Sequence, residues 1–256
     1  MNFRPLFAVL LAVPAFASAD PACKSLVITG HPSYPPVAWG SGGKIVGAAP
    51  ELVTRIARSL GVAQVTSKDF GSWEKAQAAA RSGEADVIFG IYRNDERIAF
   101  LDYVEPPFMV DPVSIVVRTG APFPYAQWSD LKGKKGVTNA GESYGDRFDA
   151  FLGRELTVAR LAGVEKVFAT LVEGKADYAI VALYPGSNVA RKMGVSAKVE
   201  FLPRDVVAAD MFVAFSRKSP CLALLKGGFG KALRAEVEGG KVQEALRAAD
   251  KAFAAP

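Results

Sequence analysis

Few residues in this chain could do covalent or metal chemistry, and their number narrows the choice at once. His31 is the single histidine, so a His-rich metal site cannot be assembled, and neither Cys23 nor Cys221 has a second imidazole available as a base. The two thiols point instead to a bridge in an oxidising compartment, with two buried free thiols as the alternative. A bridge closing so long a loop would stabilise by ~4–5 kcal/mol on the chain-entropy argument. Asn139-Ala140-Gly141-Glu142-Ser143 reads as the opening of a helix, where backbone N–H groups bind an anion without special side chains. Ser143 has a second reading, as only the N-cap of that helix. Arg97 carries a permanently charged planar fork that suits a carboxylate, against the plainer reading of a surface pair with Asp95 or Glu96.

These residues must be positioned by regular elements. Lys24 to Thr29 is a β-branched run ending at Gly30, a buried strand, followed by a loop too rich in proline for helix. Leu52, Val53, Ile56, Ala57 and Leu60 repeat at helical spacing behind Pro50 and Glu51, and Gly61 stops them. Strand Val62–Ser67, helix Trp73–Arg81 and strand 86–90 follow. Such alternation with short connections predicts a parallel sheet covered on both faces. From Phe108 the rhythm changes: Val113 to Val117 is an apolar strand with no helix before it. A second series runs through strand 135–138, helix Ser143–Gly153, strand 156–161, helix Val164–Glu173, strand 177–181, helix Tyr184–Met193 and strand 198–201. Met211 to Phe215 is another apolar strand, and helices Cys221–Val237 and Lys241–Phe253 end the chain.

The first residues predict export. Arg4 precedes an apolar stretch from Leu6 to Phe16, and Ala17-Ser18-Ala19 offers a cleavage pattern that leaves Asp20 as the new N-terminus. Eleven apolar residues containing Pro14 are too few to span a bilayer. The basic excess of +5 loses only Arg4 with this leader. Basic residues are scattered and not interleaved with aromatics, which argues against a nucleic-acid surface. Half of the residues are apolar and 22% charged, an ordinary globular balance.

The strongest local signal is the segment Ala85-Asp86-Val87-Ile88-Phe89-Gly90-Ile91-Tyr92-Arg93-Asn94-Asp95-Glu96-Arg97. It resembles the ADVIxxGxxxTxER stretch of the bacterial extracellular solute-binding proteins of family 3, receptors for polar amino acids in ABC import. Tyr34-Pro35-Pro36 is similar to that family's YPPF turn, and Glu51-Leu52-Val53 to Leu60-Gly61 to its first helix. Leu101-Asp102-Tyr103-Val104 is similar to its VDFS, Trp128 to Gly133 to its DLKGK, and Gly174-Lys175-Ala176-Asp177 to its GRVDA. The resemblance implies an α/β, type II periplasmic binding-protein fold: two αβ lobes joined by a two-strand hinge with the ligand cleft between them. Lobe 1 would comprise 20–110 and 212–256, and lobe 2 would comprise 111–211. Cys23 and Cys221 then fall in one lobe, where their bridge would tie the N-terminus to the returning segment. The resemblance further implies a monomer in the periplasm, a small-molecule solute and an inner-membrane ABC permease as partners, and no metal, cofactor or nucleic acid.

The same resemblance assigns contacts. Arg97 matches the arginine that grips the ligand carboxylate, and Gly90, Ile91 and Tyr92 match the contacts just before it, with Tyr92 in place of a small hydroxyl. Tyr34, Trp39 and Phe70 match aromatic wall positions, and His31 falls where a relative reads the substrate side chain with an aspartate. Asn139, Gly141, Glu142 and Ser143 are similar to the anion-binding turn of the second lobe, with Glu142 where threonine is common. The family's ammonium-binding aspartate has no counterpart: five residues after Asp177 stands Ala182, and the next two residues are Leu183 and Tyr184, the latter a candidate contact. An unpaired ammonium in a cleft is costly, so either Glu142 supplies the charge or the solute lacks an α-amino group. The expected function is a receptor rather than an enzyme. The alternatives are a dehydratase-like enzyme using Glu142 as an acid and a sensory module, since fold does not fix function.

Overall fold

The computed structural model describes residues 23–254; the expected leader and its cleavage after Ala19 lie outside them. Strand β1 (Ser25–Gly30) enters the centre of the molecule, and β2 (Ser33–Tyr34), β3 (Ala38–Ser41) and β4 (Lys44–Val46) form a small antiparallel sheet beside it. Helix α1 (Ala48–Ser59) buries Leu52, Val53, Ile56 and Ala57 on one face. Pro50 sits in its first turn, where a missing N–H costs nothing. After β5 (Gln64–Ser67), helix α2 (Trp73–Ser82) starts where the Ser72 side chain accepts from the Lys75 N–H. It buries Trp73, Ala76, Ala79 and Ala80, and ends at Gly83 in the left-handed region. Strand β6 (Val87–Tyr92) is buried throughout, as a central strand between covered faces must be. The short helix α3 (Asp95–Ile98) follows, then β7 (Leu101–Tyr103) and β8 (Met109–Arg118).

The second series is β9 (Lys135–Asn139), α4 (Asp146–Glu155), β10 (Thr157–Leu161), α5 (Val164–Val172), β11 (Tyr178–Ala182) and α6 (Leu183–Lys192). Strand β12 (Val199–Ser216) returns across the molecule. Helix α7 (Leu222–Leu224), a π-turn, α8 (Gly230–Glu238) and α9 (Lys241–Ala254) complete the described chain.

Two parallel triplets result. β5, β1 and β6 pair in parallel, as do β10, β9 and β11. The antiparallel pair β8 and β12 joins them into one path, β10-β9-β11-β8-β12-β6-β1-β5, with β7 against β12. Among the described residues, only these two strands cross between the triplets within the sheet.

Three expectations change. The strands expected at 198–201 and 211–215 are one strand, because Asp205 stays in the ladder through register shifts on either side of it. β8 begins at Met109 rather than Val113. Pro112 is accommodated because β11 pairs only with 113–116, so its position faces a partner strand on one side alone. The helix expected over 221–237 is broken at Gly228, whose φ of 137° no helix accepts.

Cys23 and Cys221 are bonded, with Cα atoms 4.9 Å apart. The link joins the start of β1 to the segment after β12. Among the described residues, no group of three or more His, Cys, Asp or Glu side chains could hold a metal ion, and no helix is long and apolar enough to cross a membrane.

Candidate functional site

The residues singled out from the sequence meet where the C-terminal ends of β1 and β6 face the loop after β9. Arg97 is placed by local chemistry. Asn94 caps α3 by accepting the Arg97 N–H on Oδ1 at 2.8 Å, which fixes the turn. Arg97 is 3% exposed, and its guanidinium makes three hydrogen bonds. It donates from Nε to Gln77 Oε1 (3.0 Å), from Nη1 to the Tyr92 carbonyl (3.1 Å) and from Nη2 to the Gly141 carbonyl (3.1 Å). These bonds use three of its five N–H groups. Burial pulls its pKa down, while Glu142 is the largest influence holding it up. Its plain reading, a surface pair with Asp95 or Glu96, does not hold: Glu96 pairs with Arg81 instead.

Gly90 and Gly141 make this approach possible. Gly90 is the extra residue opposite a register shift between Phe212 and Val213, and its φ of +70° suits a glycine bulge. Gly141 has φ +78°, and a Cβ there would lie 2.8 Å from Glu74 Cγ and 3.3 Å from Trp73 Cδ1. The loop is thus pressed against α2, where Gln77 Nε2 also donates to the Gly141 carbonyl at 3.1 Å.

Glu142 is held by His31 and Asn139. The Ser33 N–H donates to His31 Nδ1 at 2.9 Å, and His31 Nε2 lies 3.1 Å from Glu142 Oε1 and 3.0 Å from Asn139 Nδ2. Asn139 Nδ2 lies 3.3 Å from the same oxygen, and its Oδ1 accepts from the Gly163 N–H. Burial would push the Glu142 carboxyl up, but His31, Arg97 and Asn139 together outweigh it and hold the pKa below the ordinary value. His31 itself lies between Tyr34 and Trp73, with ring centroids 5.3 and 5.2 Å away.

Ser143 is not a helix cap. α4 starts at Asp146 behind Gly145, three residues later than expected, so 139–143 is a connecting loop rather than a helix start. The Ser143 hydroxyl donates to Asp149 and accepts from Asn94 Nδ2 at 2.6 Å, linking the two sides of the cleft. Asn188 Nδ2 to the Pro35 carbonyl and Ser33 Oγ to Glu165 add further links.

Trp39 and Tyr184 stand apart from the cleft, and Phe70 meets Lys68. Trp39 packs edge-on against Phe253 of α9, because β3 turns it outward from the cleft. Phe70 lies under the Lys68 ammonium, 4.5 Å from the ring. Tyr184 is 46% exposed and lines an outer groove with Pro36, Val110 and Leu246. The Ile91 side chain packs into the core with Trp73, Ile88 and Phe100, which leaves only its backbone for the cleft.

Sequence reasoning missed Asp111. On β8 its Oδ2 accepts from Tyr34 (2.6 Å) and Tyr92 (3.1 Å), whose hydroxyls are 2.6 Å apart. Burial is the main cause that raises its pKa from 3.8 to about 7. The available signal was one acid in an otherwise apolar run. Gln77, Asn94 and Asp149 were missed too, since each acts only through a partner distant in sequence.

Between the two sides, Tyr34, Glu142, Tyr144 and Ala182 line a cavity of about 10 Å³, no larger than one water. A groove of about 270 Å³ opens outside it between His31, Trp73, Asn139 and Gly163. The cleft is therefore closed on its own side chains.

Two αβ triplets bridged by two long strands, with a charged cleft between their facing loops, define a binding protein of the type II periplasmic class. Residues 26–210 match the family of bacterial extracellular solute-binding proteins, family 3, and the chain belongs to that family. A crystal structure of a histidine kinase sensor domain with similarity to periplasmic binding proteins is 26% identical, covering 89% of this chain and 96% of that one, with a TM-score of 0.72. The L-arginine-bound amino acid ABC transporter substrate-binding protein AbpA from Streptococcus pneumoniae is 22% identical, covering 91% and 97%, with a TM-score of 0.74. An ancestral arginine-binding protein bound to glutamine is 22% identical, covering 88% and 97%, with a TM-score of 0.70. The comparison with curated proteins gives no match.

Proposed function

We propose that this chain is a periplasmic receptor that closes on a small carboxylate-bearing polar solute, an amino acid or close analogue, and delivers it to an inner-membrane ABC permease. The observation that carries this reading is Arg97, a buried guanidinium held by a capped turn and aimed at the loop on the opposite side of the cleft. In this reading the leader 1–19 is removed after Ala19. Residues 20–110 with 212–256 then move against 111–211, bending where β8 and β12 cross. On opening, the Gly141 carbonyl leaves the guanidinium, and a solute carboxylate takes the place of its oxygen. Tyr92, Tyr34, His31, Asn139, Glu142 and Ser143 surround the solute, with backbone from Gly90, Ile91 and Gly141. The arginine and glutamine named with the structural neighbours support the amino-acid class.

The sensory alternative has its own support in the sensor-domain neighbour. A strain lacking the protein separates the two, since loss of uptake marks import and loss of a response with uptake intact marks sensing. The binding claim is tested by thermal shift against a panel of amino acids and carboxylates. A solute at about 100 times its Kd stabilises by ~2.7 kcal/mol, a rise of about 5–10 °C in Tm for a chain of this size. If no compound in either class raises the midpoint, the reading is wrong.

A further inference from the structure

We propose that Asp111 is the seat of the solute's cationic group, taking over from β8 the charge that Ala182 lacks on β11. This inference rests on the receptor reading above and names the ligand chemistry of its second subsite.

The placement follows from strand register. Ala182 pairs directly with Val113 across β11 and β8, and directly opposed residues share a sheet face. Asp111 is two residues before Val113 on the same strand and so points to that same face. Tyr34, Tyr92, Val113 and Ala182 belong to one buried cluster, as this register requires. A carboxylate missing from the end of one strand is thus present on its neighbour, one hydrogen bond behind Tyr34, which itself lines the small cavity with Ala182 and Glu142.

The hydrogen bonding of Asp111 is unfinished. Oδ2 takes both tyrosine hydroxyls, whereas Oδ1 is buried with no hydrogen-bond partner. Native interiors rarely leave a carboxylate oxygen in this state unless something else comes to it. The groups facing Asp111 are Tyr34 from β2, Tyr92 from β6 and, at longer range, Glu142 from the loop after β9. Asp111 pairs with Ala209 on β12, and its same-face neighbour Val113 pairs with Val207 on β12 and Ala182 on β11, none of them charged. No cation stands among them, so the position is built for one to arrive.

Without solute, burial pushes the Asp111 carboxyl up to about 7, and in this proposal it carries a proton below that pH. An arriving ammonium displaces that proton to solvent and faces the resulting carboxylate. Binding of an amine-bearing solute is therefore coupled to proton release below about pH 7, and its affinity rises with pH through that value.

The test is calorimetric titration of the wild type and of Asp111→Asn with common L-amino acids and with their 2-oxo-acid counterparts. Asp111→Asn is expected to weaken amino-acid binding ten-fold or more and to leave 2-oxo acids within about two-fold. In the wild type at pH 6, two buffers of different ionisation enthalpy should reveal proton release with an amino acid and none with a 2-oxo acid. This second readout needs no variant to fold. Unchanged amino-acid affinity in Asp111→Asn, or no proton release in the wild type, overturns the proposal. Binding of 2-oxo acids alone overturns it while leaving the receptor reading standing; binding of neither class overturns both.

Discussion

At the scale of single residues, two carboxyls in the cleft are driven in opposite directions by their surroundings. Glu142 is held below its usual value, so its contribution to stability is present above about pH 4.5 and lost as pH falls through the lowered value. Asp111 is raised from 3.8 to about 7, so its contribution is present below about pH 4 and lost as pH rises toward 7. The solute-free protein should therefore lose stability between pH 5 and 7, by at most about 1.4 kcal/mol per pH unit from this one group. Thermal melts of the wild type and Asp111→Asn across this range check the point. The fall should be present in the first and flattened in the second; parallel curves would show that Asp111 ionises normally. Arg97 needs no such titration. It stays charged, and its buried cation is matched by carbonyls and by Glu142 nearby.

At the scale of elements, closure depends on how near the 139–143 loop comes to α2. Gly141→Ala adds a Cβ 2.8 Å from Glu74 Cγ at a φ of +78°, where a side chain is already strained. Because this contact crosses the cleft, the substitution should weaken solute binding ten-fold or more. The midpoint of the solute-free protein should move little, by the equivalent of about 1–2 kcal/mol. Equal affinity by calorimetry would place the loop elsewhere in the bound state. The elements themselves were largely legible in the sequence. The buried run of β6, the apolar stripe of α1 and the glycine stops after α1 and α2 follow directly from periodicity. Less legible was anything decided by a distant partner. The sequence reads as two strands, 198–201 and 211–215, yet β12 runs through both because β8 supplies its ladder. Ser143 looks like a cap, yet Asp149 and Asn94 claim its hydroxyl. Trp39 and Tyr184 look like cleft walls by position, but α9 covers one and solvent meets the other. Asp111 lies just before the apolar run that announces β8, and only the fold reveals Tyr34 and Tyr92 around it.

At the scale of the whole molecule, the two triplets share one sheet path through β8 and β12, and polar contacts across the cleft join the loops that face each other. The disulfide ties the segment before β1 to the segment after β12. Hydrogen bonds span the cleft between Arg97, Asn94, Ser33 and their partners, beside a buried apolar cluster that includes residues of both sides. In the proposed reading, recognition rests on the Arg97 guanidinium, which reaches across to the Gly141 carbonyl. The most direct measurement is calorimetric titration of wild type and Arg97→Ala with a solute that raises the wild-type midpoint. We predict that Arg97→Ala remains folded and loses at least a hundred-fold in affinity, for amino acids and 2-oxo acids alike. Retained affinity in the folded variant would contradict the account, because the carboxylate would then be held by something other than Arg97.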